Sequence, residues 1–412
     1  MSKMAKASIY SLLKEHALEA TCFLLIFGLF FSRAVLSISL VLMLLIAIFN
    51  FYQHQKPNPI KLKHYFFIGL YILICLSFWN TSDKALWLNI LFKNSFLWLL
   101  PLVFTFAKTP QEATIRRLVL FFGLCGVLCI SVDLGWVLSH QPLYKEIIAR
   151  GGNITSVLGP YHTELSILYS IAFIALWISI LNPSKLYKKW LIIACLCLLV
   201  TGLIAVAQRF ALSCLLLNGL FFMGREIIIT KNYKYIGYVI LVLLATIIVY
   251  QKVPAVKQKV LYTQNDIINL IENKNPNYLS ISQRWAANKC ALEVVKKNMF
   301  TGVAPADLEQ EMDQQYASYS YWLIPKNRVF VHNQYLYYLA SYGVIFSFLI
   351  FVFGFLLLWR AINQNIFSLA FIIPIVFHMF TDNSMERQIS GISIVFLLLL
   401  FTNIKIKTLS ER

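Results

Sequence analysis

Long runs of apolar residues recur along almost the whole chain, and short polar or basic segments separate them. A helix needs about 20 mostly apolar residues to cross the roughly 30 Å hydrocarbon core of a bilayer. The runs are continuously apolar and do not alternate, which favours helices over the strands of a barrel. The pattern therefore predicts an all-α integral membrane protein with about 12 transmembrane helices, at residues 17–31, 34–51, 65–79, 85–106, 118–138, 163–181, 190–207, 210–223, 235–250, 335–358, 366–379 and 391–404.

The composition agrees with a membrane protein, because 59% of the 412 residues are hydrophobic and only 13% are charged. Soluble domains have roughly 45–50% apolar and about 25% charged residues. A net charge of +18 would suggest nucleic-acid binding in a soluble protein. Here the position of the charges matters more than their sum, and no nucleic-acid partner is expected. The basic N-terminus lacks a following cleavage site and is expected to be retained. Most cysteines lie inside apolar runs, so no disulfide framework is expected.

The distribution of lysine and arginine predicts the topology. With a cytoplasmic N-terminus, the short cytoplasmic segments hold 19 of these residues and the short outer segments hold seven. Positive charge accumulates on the cytoplasmic side, so both termini are expected in the cytoplasm. Residues 251–334 then form one large extracytoplasmic loop within a single polytopic domain, 1–412. The segment 283–298 is predicted to be an amphipathic helix, because small or apolar residues recur at Ala287, Cys290, Ala291, Val294 and Val295.

Three ionisable residues stand at the outer membrane level in this topology, although they are far apart in sequence. Arg209 in VAQRFALS separates the seventh and eighth spans, Arg284 in SISQRWAAN begins the amphipathic helix, and His332 in VFVHNQYLYYLASYG precedes the tenth span. Such side chains can simply anchor helix ends at the interface. Ionisable groups at membrane depth also mark functional cavities, so these three residues are candidate site residues.

Two arginines and a histidine fit one class of reaction. Guanidinium groups bind phosphate oxygens through two parallel hydrogen bonds, and histidine can take a proton from an attacking hydroxyl. The sequence has no D-x-D pair, no H-E-x-x-H, no paired C-x-x-C and no glycine-rich phosphate loop. The residues therefore predict transfer from a lipid-pyrophosphate donor to a hydroxyl acceptor, with no metal and no cofactor.

Several motifs after residue 190 carry a family resemblance. They are the arginine between spans seven and eight, the large loop between spans nine and ten, the R-W pair, the turn TGVAPADL and H-N-Q-Y-L before span ten. The chain resembles the O-antigen ligase family, within the superfamily that also contains O-antigen polymerases and bacterial protein O-oligosaccharyltransferases. Length and topology agree over the whole chain. One departure is Ala304 in the turn, where the family commonly has a second glycine; alanine still permits a turn.

The resemblance implies a donor, an acceptor and a place in the cell. The donor would be an undecaprenyl-pyrophosphate-linked glycan, and the acceptor a hydroxyl of the lipid A–core oligosaccharide. The reaction would occur on the periplasmic face of the bacterial inner membrane, among membrane lipids. Arg209 and Arg284 match the pyrophosphate-binding arginines, and His332 matches the general base.

The resemblance also adds weaker candidates. His162 in GPYHTELS, Asn333 and Trp285 are candidates for the acceptor side or for supporting the site. Asp382, Asn383 and Arg387 occupy a polar loop similar in position to one in the family, and they are interpreted as a plain surface loop.

Other functions remain open at this point. An O-antigen polymerase would use the same donor but commonly has two substantial outer loops. A protein O-oligosaccharyltransferase tends to be longer than this chain. A solute transporter would place polar groups near the midplane of several helices, and neither that arrangement nor a repeat symmetry is visible in the sequence.

Overall fold

A computed structural model describes residues 3–53, 57–107, 110–150, 152, 154, 156–158, 162–181, 188–231, 233–318, 323–364 and 368–400. Within these residues the regular structure is helical and no strand is present. The predicted all-α class is therefore confirmed. Residues 401–404 of the last predicted span and the GPY of GPYHTELS lie outside the described residues.

The helices follow one another along the chain with short connections. They are α1 (Lys3–Phe31), α2 (Arg33–Tyr52), α3 (Leu62–Leu76), α4 (Lys84–Lys93), α5 (Phe96–Phe106), α6 (Glu112–Ser139), α7 (Gln141–Ala149), α8 (His162–Leu181), α9 (Lys189–Ala205), α10 (Arg209–Thr230), α11 (Lys234–Lys252), α12 (Pro254–Ile271), α13 (Ser280–Lys297), α14 (Leu308–Ser318), α15 (Gln334–Gln364), α16 (Ser368–Thr381) and α17 (Gln388–Leu400). Short 3-10 turns occupy Ser77–Trp79, Pro325–Asn327 and Ser384–Glu386.

Many of these helices have the length and composition of membrane spans. In the part of the chain that the structure describes, seven segments are long and apolar enough to cross a bilayer: Arg33–Tyr52, Leu62–Trp79, Lys84–Phe106, Glu112–Ser139, His162–Ile180, Arg209–Ile229 and Gln334–Asn363. Four shorter apolar helices accompany them, at His16–Phe31, Lys189–Ala205, Ser368–Thr381 and Gln388–Leu400. By length and composition of its helices, the chain is a multi-pass membrane protein.

The helix α8 lies at the centre of the bundle. It packs against α6, α9, α10 and α16, and most of its residues between Leu165 and Ile178 are buried. A helix that is apolar all round is expected in such a central position. The first residue of α8 is His162, so the central helix presents this histidine at one end of the bundle.

The segment between α11 and α15 contains three helices of a different character. The axis bends by 90° between α11 and α12. The predicted amphipathic helix is observed as α13, whose buried face contains Ala287, Cys290, Ala291 and Val294. This face packs against α12, α14 and α15. The segment therefore covers the start of α15, where the H-N-Q-Y-L motif lies.

The turn that follows α13 is locked against a kink in α15. Val303 N–H donates to the Ala340 carbonyl at 2.9 Å, and Ala304 N–H donates to the Ser341 carbonyl at 3.0 Å. Gly302 has φ +66°, and a Cβ there would lie 2.4 Å from the Ser341 carbonyl carbon. Ala304 itself has φ +68°, the left-handed conformation that glycine adopts without strain. The backbone at Ala304 is thus glycine-like, although the residue is alanine.

The side chain of Asp307, also in this turn, ties it to the loop before α4. Its carboxylate accepts from Ser82 N–H at 2.7 Å and from Asp83 N–H at 3.1 Å. Asn80 Nδ2 donates to the Gly302 carbonyl at 2.9 Å. The turn is consequently held both to α15 and to the connection between α3 and α4.

Candidate functional site

His332 lies in the irregular stretch before α15 and contacts the carboxylate of Asp382, which belongs to the segment between α16 and α17. Its Nδ1 is 3.0 Å from Asp382 Oδ1, and the two side chains are 18% and 2% exposed. When Nδ1 donates to this carboxylate, Nε2 carries the lone pair and can accept a proton. The pair therefore orients the imidazole and sets its tautomer.

The two residues after His332 fix its position. Asn333 Oδ1 accepts from the backbone N–H groups of Tyr335 and Leu336, both at 3.0 Å, which caps the first turn of α15. Gln334 Oε1 accepts from Met385 N–H at 2.8 Å. Asn333, a candidate for the acceptor side, is thus placed as a helix cap. The H-N-Q motif joins the start of α15 to the segment that carries Asp382.

The segment between α16 and α17 is buried, and its interpretation as a plain surface loop was wrong. Asp382, Asn383 and Ser384 are 1%, 8% and 0% exposed. Arg387 Nε lies 3.1 Å from Asp382 Oδ2, and Arg387 Nη2 donates to Oδ1, the oxygen that also contacts His332, at 3.4 Å. The loop is buried because it bridges two helix ends and the start of α15.

The charge of Asp382 is strongly favoured in this setting. Burial by itself raises the pKa of a carboxyl group. The hydrogen bond from His332 and the positive charge of Arg387 outweigh burial and hold the pKa of Asp382 well below its usual range. The carboxylate is therefore ionised at every physiological pH and can stabilise a positive charge on His332.

Arg284 lies in the second turn of α13, and a residue of α12 holds that helix end. Asp266 accepts from Ile281 N–H at 2.6 Å and from Ser282 N–H at 3.0 Å, which caps the helix. Burial lowers the pKa of Arg284, the Asp382 charge opposes this, and the Arg387 charge adds to it. Arginine stays protonated in all such environments. Arg284 is therefore a half-buried cation within electrostatic range of Asp382, the partner of His332.

Arg209 is the first residue of α10 and is exposed. Its Nη1 donates to Thr263 Oγ1 at 2.7 Å, which links it to α12. Arg284 and Asp266 both lie within electrostatic range of Arg209. The two arginines selected from the sequence are thus brought together by α12, although 75 positions separate them along the chain.

His162 and one lysine complete the arrangement. His162 is half-buried at the start of α8, within electrostatic range of Arg284, Arg387, Asp382 and Lys259. We refer to the whole set as the charged cluster: His162, Arg209, Lys259, Arg284, His332, Asp382 and Arg387. Trp285, the other candidate, is 49% exposed, and its ring lies 5.4 Å from Lys289 Nζ. It lies about 100° around α13 from Arg284.

The charged cluster brings four cations into the neighbourhood of the Asp382 and Asp266 carboxylates. Arg284 and Arg387 lie near Asp382, Arg209 lies within electrostatic range of Asp266, and Lys259 lies near Arg209. Asp266 also accepts hydrogen bonds from the first turn of α13. Crowding like charges in a partly buried site is unfavourable unless an anion neutralises them. The arrangement can bind a polyanion such as a diphosphate, beside a histidine that can act as a base.

Asp382, Arg387 and Lys259 are the three members of the charged cluster that sequence reasoning did not select. Asp382 lies 50 positions from His332, in a segment whose letters resemble an ordinary polar loop. Lys259 belongs to a run of polar residues in the large loop, where lysines are common. No local pattern identifies these residues, because their partners come from distant segments.

Two further findings concern metal binding and similarity to known proteins. In the described part of the chain, no three His, Cys, Asp or Glu side chains are grouped so that they could hold a metal ion. No protein-family model matches the sequence, and no curated protein matches it significantly.

Proposed function

We propose that this protein transfers a glycan from undecaprenyl pyrophosphate to a hydroxyl of the lipid A–core oligosaccharide, as an O-antigen ligase. The reaction takes place on the periplasmic face of the bacterial inner membrane. The observation that carries the proposal is the convergence, from four separate segments, of Arg209, Arg284 and the His332–Asp382 pair. A polyanion site next to an oriented histidine is what transfer from a lipid pyrophosphate requires.

The proton transfer follows from the geometry of the histidine. The acceptor hydroxyl gives its proton to His332 Nε2 while its oxygen forms a bond to the anomeric carbon. The bond between that carbon and the phosphate oxygen breaks, and its electron pair leaves with undecaprenyl pyrophosphate. Asp382, 3.0 Å from His332 Nδ1, stabilises the imidazolium that forms.

The leaving group is stabilised by the arginines. Negative charge accumulates on the bridging phosphate oxygen as the glycosidic bond breaks. Guanidinium groups held in place before the reaction stabilise that charge more effectively than water, because they need no reorganisation. Of Arg209 and Arg284, it is Arg284 that lies within electrostatic range of Asp382, so Arg284 is assigned to the phosphate next to the sugar.

The proposal includes the topology of twelve spans with both termini in the cytoplasm. Within the described residues, each of the twelve predicted runs overlaps a helical segment, counting α4 and α5 as one and α11 as the ninth. The 90° bend between α11 and α12 supports ending the ninth span with α11. The region 251–334 is then periplasmic, which puts Arg284 and His332 on the donor side.

Gene deletion in the encoding bacterium, followed by complementation, tests the function. Lipopolysaccharide and lipid-linked glycan are resolved on gels for the deletion alone and with wild type, His332→Ala or His140→Ala. His140 is the matched control, because it is exposed and stacked on Trp136, away from the charged cluster. In the deletion strain we expect the long lipopolysaccharide ladder to disappear and polymer to accumulate on the lipid carrier. Wild type and His140→Ala should restore the ladder, and His332→Ala should not. Loss of a general base typically lowers the rate by roughly 10²–10⁴-fold.

The other outcomes separate the competing functions. Core carrying a single repeat unit in the deletion strain would indicate a polymerase. An unchanged ladder with loss of glycan from proteins would indicate a protein O-oligosaccharyltransferase. If no glycan changes in the deletion strain, transport of a solute is the function that remains. Full rescue by His332→Ala would eliminate His332 as the base.

A further inference from the structure

His378 is a buried histidine that the proposed reaction does not use. It lies in the last turn of α16 and is 1% exposed. Both nitrogens of its ring have partners: Nε2 is 3.0 Å from the Thr163 carbonyl oxygen, and Nδ1 is 2.5 Å from Ser384 Oγ. The ring therefore bridges the start of α8 and the loop between α16 and α17.

The two partners decide which ring nitrogen carries the proton. A backbone carbonyl can only accept a hydrogen bond, so Nε2 donates to Thr163. In the neutral ring Nδ1 then accepts, and the Ser384 hydroxyl donates to it. The two hydrogen bonds thus depend on different atoms of one ring, so substitutions can remove them separately.

The ring of His378 also contacts residues next to two members of the charged cluster. Thr163 directly follows His162 at the start of α8, and Phe210 directly follows Arg209 in α10. The ring of Phe210 meets the ring of His378 edge-on, with the ring centroids 4.9 Å apart. His378 is therefore a common neighbour of the two helix ends that carry His162 and Arg209.

The loop that carries Asp382 is attached to His378 at two points. Asp382 N–H donates to the His378 carbonyl at 2.8 Å, and the Ser384 hydroxyl contacts the ring. The first bond belongs to the end of the helix, whereas the second holds the chain after the helix has ended. Since Asp382 Oδ1 is 3.0 Å from His332 Nδ1, a shift of this loop would change the contact with the proposed base.

We propose that His378 is a positioning residue for glycan transfer: through Ser384 it holds the loop of Asp382 in place, and so keeps the carboxylate against His332. The inference rests on the proposed function, because it takes His332 as the base. His378 touches no substrate and moves no proton. Its bond to Ser384 supports the rate of transfer, and its bond to Thr163 fixes the ring itself.

Substitutions at position 378 separate the two hydrogen bonds. His378→Asn places an amide oxygen near the position of Nδ1, where it accepts from Ser384, but does not reach Thr163. His378→Gln places an amide nitrogen near the position of Nε2, where it donates to Thr163, but loses the bond to Ser384. His378→Phe keeps a ring against Phe210 and loses both bonds.

Transfer of labelled glycan from undecaprenyl pyrophosphate to lipid A–core by the full-length protein in nanodiscs gives kcat and the KM for the donor. We expect His378→Gln and His378→Phe to lower kcat by about 10- to 100-fold, because a displacement of about 1 Å at a catalytic group has effects of this size. The KM for the donor should change by less than about threefold. The reason is that α12, and not His378, holds the arginines of the donor site. His378→Asn should keep kcat within about fivefold of wild type.

The partner side of the bond supplies a second test. Ser384→Ala removes the hydroxyl that donates to Nδ1, so it should lower kcat to the same extent as His378→Gln. The double variant should be no slower than either single variant, because both substitutions remove the same hydrogen bond.

His64→Gln is the matched control for loss of a buried histidine. His64 is 6% exposed, and its Nδ1 accepts from Lys61 N–H at 3.1 Å. The adjacent Lys63 donates to the Leu399 carbonyl, at the end of α17 remote from the loop of Asp382. This variant should unfold at lower temperature while the folded protein keeps the wild-type kcat.

Several results would overturn the inference and leave the proposed function intact. One is a wild-type kcat in His378→Gln, and another is a loss in His378→Asn as large as that in His378→Gln. A third is a loss of kcat that the unfolded fraction explains entirely, as in His64→Gln, since this would make the role of His378 structural. If wild type itself transfers no glycan, the proposed function fails and the inference fails with it.

Discussion

His332, Asn333 and Gln334 are adjacent in sequence, yet each forms a different kind of contact. His332 binds the carboxylate of Asp382, Asn333 caps α15, and Gln334 binds the backbone of Met385. The two neighbours thus restrain the backbone from which the histidine projects. Because an oriented base is far more effective than a mobile one, this local scaffold matters as much as the imidazole itself.

Asp382→Asn tests whether the carboxylate orients His332 and stabilises its charged form. We expect the transfer rate constant kcat to fall by roughly 10²–10⁴-fold, with a smaller change in the KM for the donor. An amide at this position can favour the wrong tautomer and cannot neutralise an imidazolium. The measurement is transfer of labelled glycan from lipid pyrophosphate to purified lipid A–core by the purified protein.

Asp83→Asn is the control for the Asp382 variant. Asp83 is an exposed carboxylate that caps α4 through Leu86 N–H at 2.8 Å, away from the charged cluster. It should retain the wild-type rate. A kcat for Asp382→Asn equal to that of wild type would exclude the orienting role. If kcat falls only in proportion to the fraction of protein that has unfolded, the role of Asp382 is structural.

At the scale of elements, the turn after α13 connects the covering segment to the bundle. Gly302 and Gly343 both have positive φ, and a Cβ at Gly343 would lie 2.1 Å from the Phe300 carbonyl oxygen. Close backbone approach at this point requires glycine on both sides. Ala304 also has a positive φ, but its Cβ makes this backbone conformation less favourable than it is for glycine. The turn therefore stores strain at Ala304, while its two glycines fit without strain.

Ala304→Gly is expected to stabilise the protein slightly. A left-handed φ costs a non-glycine residue about 1–2 kcal/mol, and the extra flexibility of glycine in the unfolded chain offsets about 0.4–1 kcal/mol of that gain. The expected net effect is thus of the order of 0.5–1 kcal/mol. Thermal unfolding of the purified variants in detergent measures it.

Gly302→Ala serves as the comparison in the same turn. Its Cβ would meet backbone atoms of Ser341 at 2.4 Å, so we expect a clear loss of stability. A destabilised Ala304→Gly protein, or an unaffected Gly302→Ala protein, would show that the turn does not have the described conformation.

At the scale of the whole molecule, distant parts of the chain meet at Glu386. Asn94 Nδ2, between α4 and α5, donates to Glu386 Oε2 at 3.3 Å, and Tyr337 of α15 also contacts the carboxyl group. Burial raises the pKa of Glu386 to about 7, and hydrogen bonds from these two side chains only partly oppose the effect. The junction of three segments thus contains a carboxyl group that titrates near neutrality.

This raised pKa predicts a pH-dependent stability. Between the ordinary value of 4.5 and about 7, the folded protein keeps a proton that the unfolded chain has lost. The stabilising contribution is therefore complete below the ordinary value and is lost as pH rises through about 7. Glu386→Gln should remove this dependence, so its Tm should gain on wild type between pH 5 and pH 8.

The control for the pH experiment is Glu309→Gln. Glu309 is exposed at the start of α14, so this variant should follow the wild-type profile. Parallel Tm profiles for wild type and Glu386→Gln would show that the carboxyl group is ionised alike in the folded and unfolded protein.

The helices and the amphipathic segment could be predicted from local pattern. Apolar runs of membrane length coincide with α2, α6 and α8, and the spacing of small residues predicted α13 and its buried face. These features depend on the identity of neighbours within one or two turns, which the sequence displays directly. The number of helices that cross the bilayer stays a prediction, because seven segments of the described residues satisfy the length and composition of a span, or eight if α11 and α12 form one bent span.

The residues of the candidate site differ in whether the sequence could identify them. Arg209, Arg284 and His332 could be selected because each interrupts or borders an apolar run, where a charge is unexpected. Asp382 and Lys259 could not be selected, because an acidic residue in a short loop and a lysine in a polar helix are ordinary by local criteria. Only packing of α12 and of the loop after α16 against the bundle brings them to the other charges. Local sequence decides which segments are helical because hydrogen bonding and burial along one helix are short-range. Convergence of charges depends on contacts between residues 50 or more positions apart, so it is decided by tertiary structure.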